Sequence, residues 1–233
     1  MKKIIFVLFA FNLSNITLAA TASQTVQTAT GIAVDTEWKQ QVYEYAKANV
    51  KHPSWGLTHS ERNYQVSLTL ADKEGLVIDR DVLFVASFLH DLGGIAPHDS
   101  PGVDHAMQSV QIIEPLLTQW GFPMEKFAQV KEMILGHTYY GPKPESQQAQ
   151  AFRDADIIDF LGAIGVARII AITQEGRMDG NLTSTVNILK NFTKTLPEKC
   201  SLQACKVMAE PRKKELDLFL LNLDTQSFGG KAL

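Results

Sequence analysis

Apolar positions along most of the chain recur every three or four residues, which is the spacing of helices that bury one face. Trp38, Val42 and Ala46 share such a face in one segment, and Val66 and Leu70 share one in the next. The pattern predicts helices over residues 35–50, 58–74, 79–90, 104–120, 124–137, 153–174, 182–193 and 210–223. No run of alternating polarity flanks a tight-turn sequence, so strands are not expected. The sequence predicts an all-α fold, a single helical bundle over residues 34–224.

Local signals predict several helix ends. Asp35 stands where an N-cap residue is expected, and residues 58–61 (Thr-His-Ser-Glu) have the form of a capping box. Pro211 suits the first turn of the last helix. Residues 153–174 are almost wholly apolar after their first acids, which predicts a buried central helix.

The first residues have the order of a secretory signal. Residues 1–3 are Met-Lys-Lys, residues 4–11 are an unbroken apolar run, and small residues follow at 19, 20 and 22. This order predicts a signal peptide over 1–22, followed by a flexible lead-in over 23–33. The apolar run is well short of the ~20 residues that span a bilayer, so no stable membrane anchor is expected. The predicted location is periplasmic or secreted.

The amino-acid composition indicates the broad class to which the protein belongs. The 233 residues are 45% hydrophobic and 20% charged, which is ordinary for a globular domain. A net charge of -3 gives no indication of a nucleic-acid partner. In an oxidising compartment Cys200 and Cys205 can form a short-loop disulfide, and the alternative is two free thiols.

The histidines are clustered, since all six lie between His52 and His137. His90 and Asp91 end an apolar helix just before two glycines, where a turning backbone lets both side chains reach one ion. Imidazole nitrogen and carboxylate oxygen suit Zn²⁺, Mn²⁺ and Fe²⁺. The alternative is a helix cap, with His90 on the last carbonyls and Asp91 in solvent. His59 lies near the start of an earlier helix.

The most apolar predicted helix has three carboxylates near its start, at Asp154, Asp156 and Asp159. A buried carboxylate needs a partner or a metal, because burial of an unpaired charge is costly. Asp154 also suits a first-turn acid or cap. Asp156 and Asp159 are three residues apart and lie on neighbouring faces.

The order of these groups resembles the H…HD…D pattern of the HD-domain metal-dependent phosphohydrolases. The segments at 58–64 (THSERNY), 88–93 (FLHDLG) and 153–168 (RDADIIDFLGAIGVAR) resemble motifs of that family. The last is similar to the DADRLDAxGAIGxAR segment of one bacterial branch, and His105 and His137 stand where that branch carries further histidines. Gly94 replaces a lysine that is common in the family, and Ile157 replaces an arginine. The resemblance covers residues 38–168.

The resemblance implies an HD-like helical fold and a divalent cation, Mn, Co, Zn or Fe. The implied metal ligands are His59, His90, Asp91 and Asp156. Asp156 is preferred to Asp154 because the family's last ligand precedes a second carboxylate by three residues.

The same resemblance implies further roles around the metal. The implied catalytic residues are Asp91, Arg62 and His137, and the implied substrate-binding residues are Arg62, His105 and His137. Arg62 is expected to contact phosphate, or to orient Asp91 or Asp156 through a charge-assisted bond. For His105 and His137 the alternative is an ordinary surface or capping histidine.

The expected function is hydrolysis of a phosphate ester or phosphoanhydride, of a nucleotide or another small phosphorylated molecule. Two alternatives stay open. One is an HD-like di-iron oxygenase, which requires His105 and His137 as ligands. The other is a non-catalytic module that binds a metal or a ligand.

Overall fold

The structure, a computed structural model, describes residues 26–174 and 181–233. The predicted signal peptide, residues 1–22, lies outside the described residues. No helix within the two described ranges is long and apolar enough to cross a membrane.

The prediction of an all-α fold is confirmed. The helices of the described residues are α1 (Glu37–Asn49), α2 (Leu57–Glu74), α3 (Arg80–Leu89), α4 (His105–Trp120), α5 (Phe127–Gly136), α6 (Gln147–Asp159), α7 (Gly162–Gln174), α8 (Leu182–Lys199) and α9 (Gln203–Gln226). Short 3-10 turns at Leu92–Gly94 and Met124–Lys126 follow α3 and precede α5.

Two apolar clusters form the core. One is centred on Phe84 and Phe88 of α3 and is packed by α1, α4 and α5. The other is centred on Ile157 of α6 and Leu189 of α8 and is packed by α7 and α9. Helices α2 and α6 pack along one another between these clusters, and this boundary is where the polar side chains described below lie.

The prediction of one continuous helix over 153–174 is wrong. Helix α6 ends at Asp159 and α7 begins at Gly162. Gly162 has φ +69°, a conformation that other residues rarely adopt, and a Cβ there would lie 2.8 Å from the Glu215 carboxylate. Periodicity does not detect this break, because both helices are buried and the apolar run continues through it.

The prediction of no strands is wrong for a short hairpin at the start of the described chain. Strands β1 (Val26–Gln27) and β2 (Ala33–Val34) pair antiparallel, with Val26 opposite Val34. They fall in and beside the segment 23–33 that was expected to be a flexible lead-in. Buried Ile32 joins the first apolar cluster and fixes the hairpin to the bundle.

The hairpin also explains why the expected capping box is wrong. Helix α2 begins at Leu57, with Gly56 as its N-cap and no side-chain cap. The Glu61 carboxylate instead accepts hydrogen bonds from Thr28 Oγ1 at 3.0 Å and from the Thr30 backbone N–H at 2.8 Å.

Two other predicted helix ends shift. Thr36, not Asp35, is the N-cap of α1, because the Asp35 carboxylate pairs with the Lys39 ammonium at 2.8 Å. Pro211 lies inside α9 rather than in its first turn, because α9 begins at Gln203. The turn between α8 and α9 is closed by a disulfide between Cys200 and Cys205, the pairing expected for an oxidising compartment.

Candidate metal centre

Four predicted ligands meet where α2, α3 and α6 come together. His59 lies in the first turn of α2, His90 and Asp91 directly follow α3, and Asp156 lies on α6. Nε2 of His59 is 3.2 Å from His90 Nε2, 3.3 Å from Asp156 Oδ1 and 3.5 Å from Asp91 Oδ2. The ligand atoms of His59, His90 and Asp156 are close enough to hold one metal ion.

A second group of potential ligands adjoins the first. It consists of His90, Asp91 and His137 and shares His90 with the first group. Asp91 Oδ1 lies 3.5 Å from His137 Nε2 and 3.4 Å from His105 Nε2. The other Asp91 oxygen, Oδ2, faces His59 and His90, so this carboxylate lies between the two groups.

Close packing at one glycine brings α4 to this site. A Cβ at Gly93 would lie 2.5 Å from the His105 carbonyl oxygen and 2.6 Å from the Ser109 backbone nitrogen. The Ser109 hydroxyl donates to the His90 carbonyl oxygen at 2.6 Å and accepts from the Gly93 N–H at 2.8 Å. These contacts fix the turn after α3 against α4 and place His105 beside Asp91.

The second nitrogen of each buried histidine determines which nitrogen faces the centre. Nδ1 of His90 lies 3.1 Å from the Ser87 carbonyl oxygen, and Nδ1 of His137 lies 2.5 Å from the Ile134 carbonyl oxygen. A carbonyl oxygen only accepts, so each Nδ1 carries the proton and each Nε2 presents a lone pair. Nδ1 of His59 lies 2.7 Å from Asp159 Oδ2 in the same way. Histidine ligands of metals are held in this manner, so the residues present fit a divalent cation.

The electrostatics of the centre also suit a cation. Burial opposes ionisation of Asp91, but His90 and His137 outweigh it and hold the pKa of that carboxyl well below its usual range. Burial, and then the carboxylate of Asp104 most among its neighbours, raises the pKa of Tyr140 to about 12. The Asp91 carboxyl is therefore held in its ionised form, which is the form that binds a cation.

Arg62 lies behind the cluster rather than on it. Its Nε and Nη2 donate to the two Asp159 carboxylate oxygens at 2.7 and 2.8 Å. The expectation that Arg62 orients Asp91 or Asp156 is therefore wrong, because its guanidinium reaches the end of α6 instead. Arg62 contacts the carboxylate that holds His59 Nδ1, and it does not line the cavity described below.

Arg168 of α7 is the arginine that reaches the cluster. Its Nη2 lies 3.3 Å from His59 Nε2, and its Nη1 lies 3.1 Å from Asp159 Oδ2. The guanidinium is buried and stacks on the Phe160 ring at 4.1 Å. Sequence reasoning missed this residue, although an arginine at the end of the 153–168 motif could have been considered as a site residue.

Asp154 lies away from the cluster and has a structural partner. Its carboxylate accepts from the Ser201 backbone N–H at 2.9 Å and from the Leu202 N–H at 2.7 Å. The suggestion that Asp154 caps its own helix is wrong, because it holds the turn before α9 instead. This arrangement agrees with the preference for Asp156 over Asp154 as a ligand.

A cavity of about 510 Å³ opens onto the centre. Asp91, Asp156, His105 and His137 line it, together with Arg168. The volume is within the range of small-molecule sites.

Residues 56–161 match the family model of the HD domain. The chain contains an HD domain over these residues. The HD domain contains all four predicted metal ligands, whereas Arg168 lies beyond the matched range.

Solved structures share the fold of this HD domain. A Lactobacillus plantarum protein is 18% identical with a TM-score of 0.64, and the match covers 86% of this chain and 98% of that one. Bacillus subtilis YpgQ in complex with ADP is 18% identical with a TM-score of 0.63, covering 81% and 94%. A predicted HD superfamily hydrolase from an uncultured Thermotogales bacterium is 22% identical with a TM-score of 0.56, covering 80% and 91%. No curated protein matches the chain significantly.

Proposed function

We propose that the protein is a metal-dependent phosphohydrolase that acts on a small phosphorylated molecule. The observation that carries this proposal is that His90, Asp91 and Asp156 each lie within 3.5 Å of His59 Nε2, beside a cavity. These side chains would hold a divalent cation of the Mn, Co, Zn or Fe type. A bound cation of this kind neutralises charge on phosphoryl oxygens and lowers the pKa of a coordinated water.

The remaining side chains of the site have roles in positioning and in proton transfer. One carboxylate oxygen of Asp91 would orient the attacking water and accept a proton from that water. His137 Nε2 lies 3.5 Å from Asp91 Oδ1 and faces the cavity, so it would take that proton from Asp91 and pass it to the leaving oxygen. His105 Nε2 lies 3.2 Å from His137 Nε2 and is placed to contact the phosphoryl group. Asp159, held by Arg62, keeps His59 in its orientation.

The proposal also includes a substrate class and a cellular location. The ADP complex of YpgQ and the resemblance to the HD phosphohydrolases support a nucleotide or similar small molecule. The leader-like residues 1–22 support a periplasmic or secreted enzyme.

The test uses mature protein purified without chelator. We expect elemental analysis to find bound Mn, Co, Zn or Fe, and a panel of phosphate esters to be hydrolysed. Chelation is expected to abolish turnover, and Mn²⁺ or Co²⁺ to restore it. Hydrolysis that persists after complete metal removal would refute the mechanism.

Asp91 lies between the two groups of ligands with Oδ1 toward His105 and His137, and a second ion, as in a di-iron oxygenase, would need those three side chains. Two iron equivalents with a mixed-valence signal and no phosphate release would favour the oxygenase. Metal binding without any turnover would favour the non-catalytic module.

A further inference from the structure

We propose that the substrate carries a single phosphoryl group on an apolar alcohol of aromatic size, and that nucleoside triphosphates are poor substrates. This inference rests on the proposed function and deepens it. It follows from the two walls of the cavity, one aromatic and one acidic.

The aromatic wall lies beside the metal centre. Tyr139, Phe160 and Phe192 contact one another edge to face, with ring centroids 5.3 to 5.8 Å apart. Ile169 and Ile172 of α7 are also among the lining residues and are almost fully buried behind this surface. A planar apolar group placed here gains both buried area and edge-to-face contacts.

Rigid packing holds this wall in place. Phe160 is 8% exposed and Phe192 is 4% exposed, so most of each ring is supported by the surrounding protein. The guanidinium of Arg168 covers the Phe160 ring on the side of the metal centre. The apolar wall therefore begins directly beside the side chains that would hold the metal.

The described part of the cavity lining carries the carboxylates of Asp91, Asp104 and Asp156 and one guanidinium, that of Arg168. Asp159 already lies against that guanidinium at 3.1 Å. One divalent cation would offset the carboxylates of Asp91 and Asp156 that hold it, and would leave the negative charge of Asp104.

This balance selects against long phosphate chains. A phosphomonoester brings two negative charges, both on the phosphoryl group that the cation would contact. A triphosphate brings about four negative charges, and its outer groups would extend toward the Asp104 carboxylate, where like charges repel.

The reaction is a balanced hydrolysis of a monoester. The oxygen of water forms a bond to phosphorus, and the bond between phosphorus and the ester oxygen breaks. One proton of the water goes to the leaving oxygen, which gives the free alcohol, and hydrogen phosphate is the second product.

The first test measures binding, independently of turnover. Calorimetry on the Mn²⁺-loaded protein compares 3-phenylpropylphosphonate, propylphosphonate and a non-hydrolysable ATP analogue. We expect the phenyl compound to bind at least about 10-fold more tightly than the propyl compound, the range for a filled apolar pocket. The ATP analogue is expected to bind more weakly than the phenyl compound.

The second test compares turnover of 2-phenylethyl phosphate, ethyl phosphate and ATP. The two esters are both alkyl esters with similar leaving groups, so a difference in kcat/KM reports on the cavity rather than on intrinsic reactivity. We expect 2-phenylethyl phosphate to be preferred by about 10-fold or more over ethyl phosphate.

Two variants test whether the aromatic wall causes the phenyl preference and whether the acidic wall causes the weak binding of the ATP analogue. Phe192→Leu removes one ring from the cavity and is expected to reduce the phenyl preference about 3-fold to 10-fold. Phe122→Leu, in the other apolar cluster, is the matched control and is expected to leave that preference unchanged. Asp104→Asn keeps an N-cap residue on α4 and is expected to improve binding of the ATP analogue relative to the phenyl compound.

The outcomes separate the two proposals. Tight phenylphosphonate binding without hydrolysis of any ester would refute the phosphohydrolase and support the ligand class. Equal binding of the phenyl and propyl compounds, or preferred binding and hydrolysis of ATP, would overturn the present inference and leave the phosphohydrolase intact.

Discussion

Two carboxylates on one helix, Asp154 and Asp156, should respond to alanine substitution in opposite ways. Asp156 faces the metal cluster, whereas Asp154 accepts two backbone N–H groups at the turn before α9. We expect Asp156→Ala to lose metal and keep most of its metal-free stability. We expect Asp154→Ala to keep the metal and lose stability.

The size of each effect follows from the contacts. Asp154→Ala leaves the N–H groups of Ser201 and Leu202 without their acceptor, at about 1–3 kcal/mol for each buried donor. The free energy of unfolding should therefore fall by about 2–4 kcal/mol. Metal at 100 times its Kd stabilises a folded protein by about 2.7 kcal/mol. If Asp156→Ala weakens binding about 100-fold, the same metal concentration adds only about 0.4 kcal/mol.

Urea denaturation followed by circular dichroism, with and without Mn²⁺, measures both quantities. The assay belongs at pH 7.5, because burial raises the pKa of Asp154 to about 6 and the carboxylate is then ionised. The wild type and Asp154→Ala should show the same Mn²⁺-dependent increase in stability, and Asp156→Ala should show almost none. An increase that disappears in Asp154→Ala and persists in Asp156→Ala would refute the ligand assignment.

Three further variants test other parts of the structure. Replacing Cys200 and Cys205 by serine should lower the free energy of unfolding by about 2 kcal/mol, since a loop of sequence separation 5 is released; equal stability of oxidised wild type and variant would contradict this. Partial burial raises the pKa of Asp81, but two lysine ammonium groups outweigh it and lower that pKa. The stability from Asp81 is then present above the unfolded-state pKa and lost as pH falls through the folded-state pKa. Asp81→Asn should therefore cost about 0.5–1 kcal/mol at pH 7 and nothing once the pH lies below the folded-state pKa. Arg62→Gln should weaken metal binding about 10-fold in a Mn²⁺ titration, because it loosens the carboxylate that holds a ligand histidine; an unchanged Kd would exclude that positioning role.

The fold class and the members of the cluster could be predicted from the sequence. Helical periodicity predicts the all-α fold, because each helix buries one face. His90, Asp91 and Asp156 each lie within 3.5 Å of His59 Nε2, as their motif order implies. Such motifs are short local segments, so they can be recognised in the sequence even where the predicted helix ends are wrong.

The partners of the charged side chains could not be predicted in the same way. Glu61 has the position of a capping-box residue, yet a hairpin 31 to 33 residues away takes its carboxylate. Arg62 has the spacing expected for a phosphate contact, yet Asp159 binds it from α6. In both cases the partner comes from a distant segment, and local sequence carries no information about that distance in space.

The break at Gly162 shows how one wrong helix boundary conceals a functional residue. In a continuous helix, Arg168 would lie about 18 Å along the axis from Asp156, at 1.5 Å per residue. The turn between α6 and α7 instead brings α7 back toward α6, so that Arg168 Nη1 lies 3.9 Å from Asp156 Oδ1. The same turn directs Ile169 and Ile172 to the cavity. A glycine able to adopt φ +69° at this position is therefore what joins the metal cluster to the apolar wall that we propose selects the substrate.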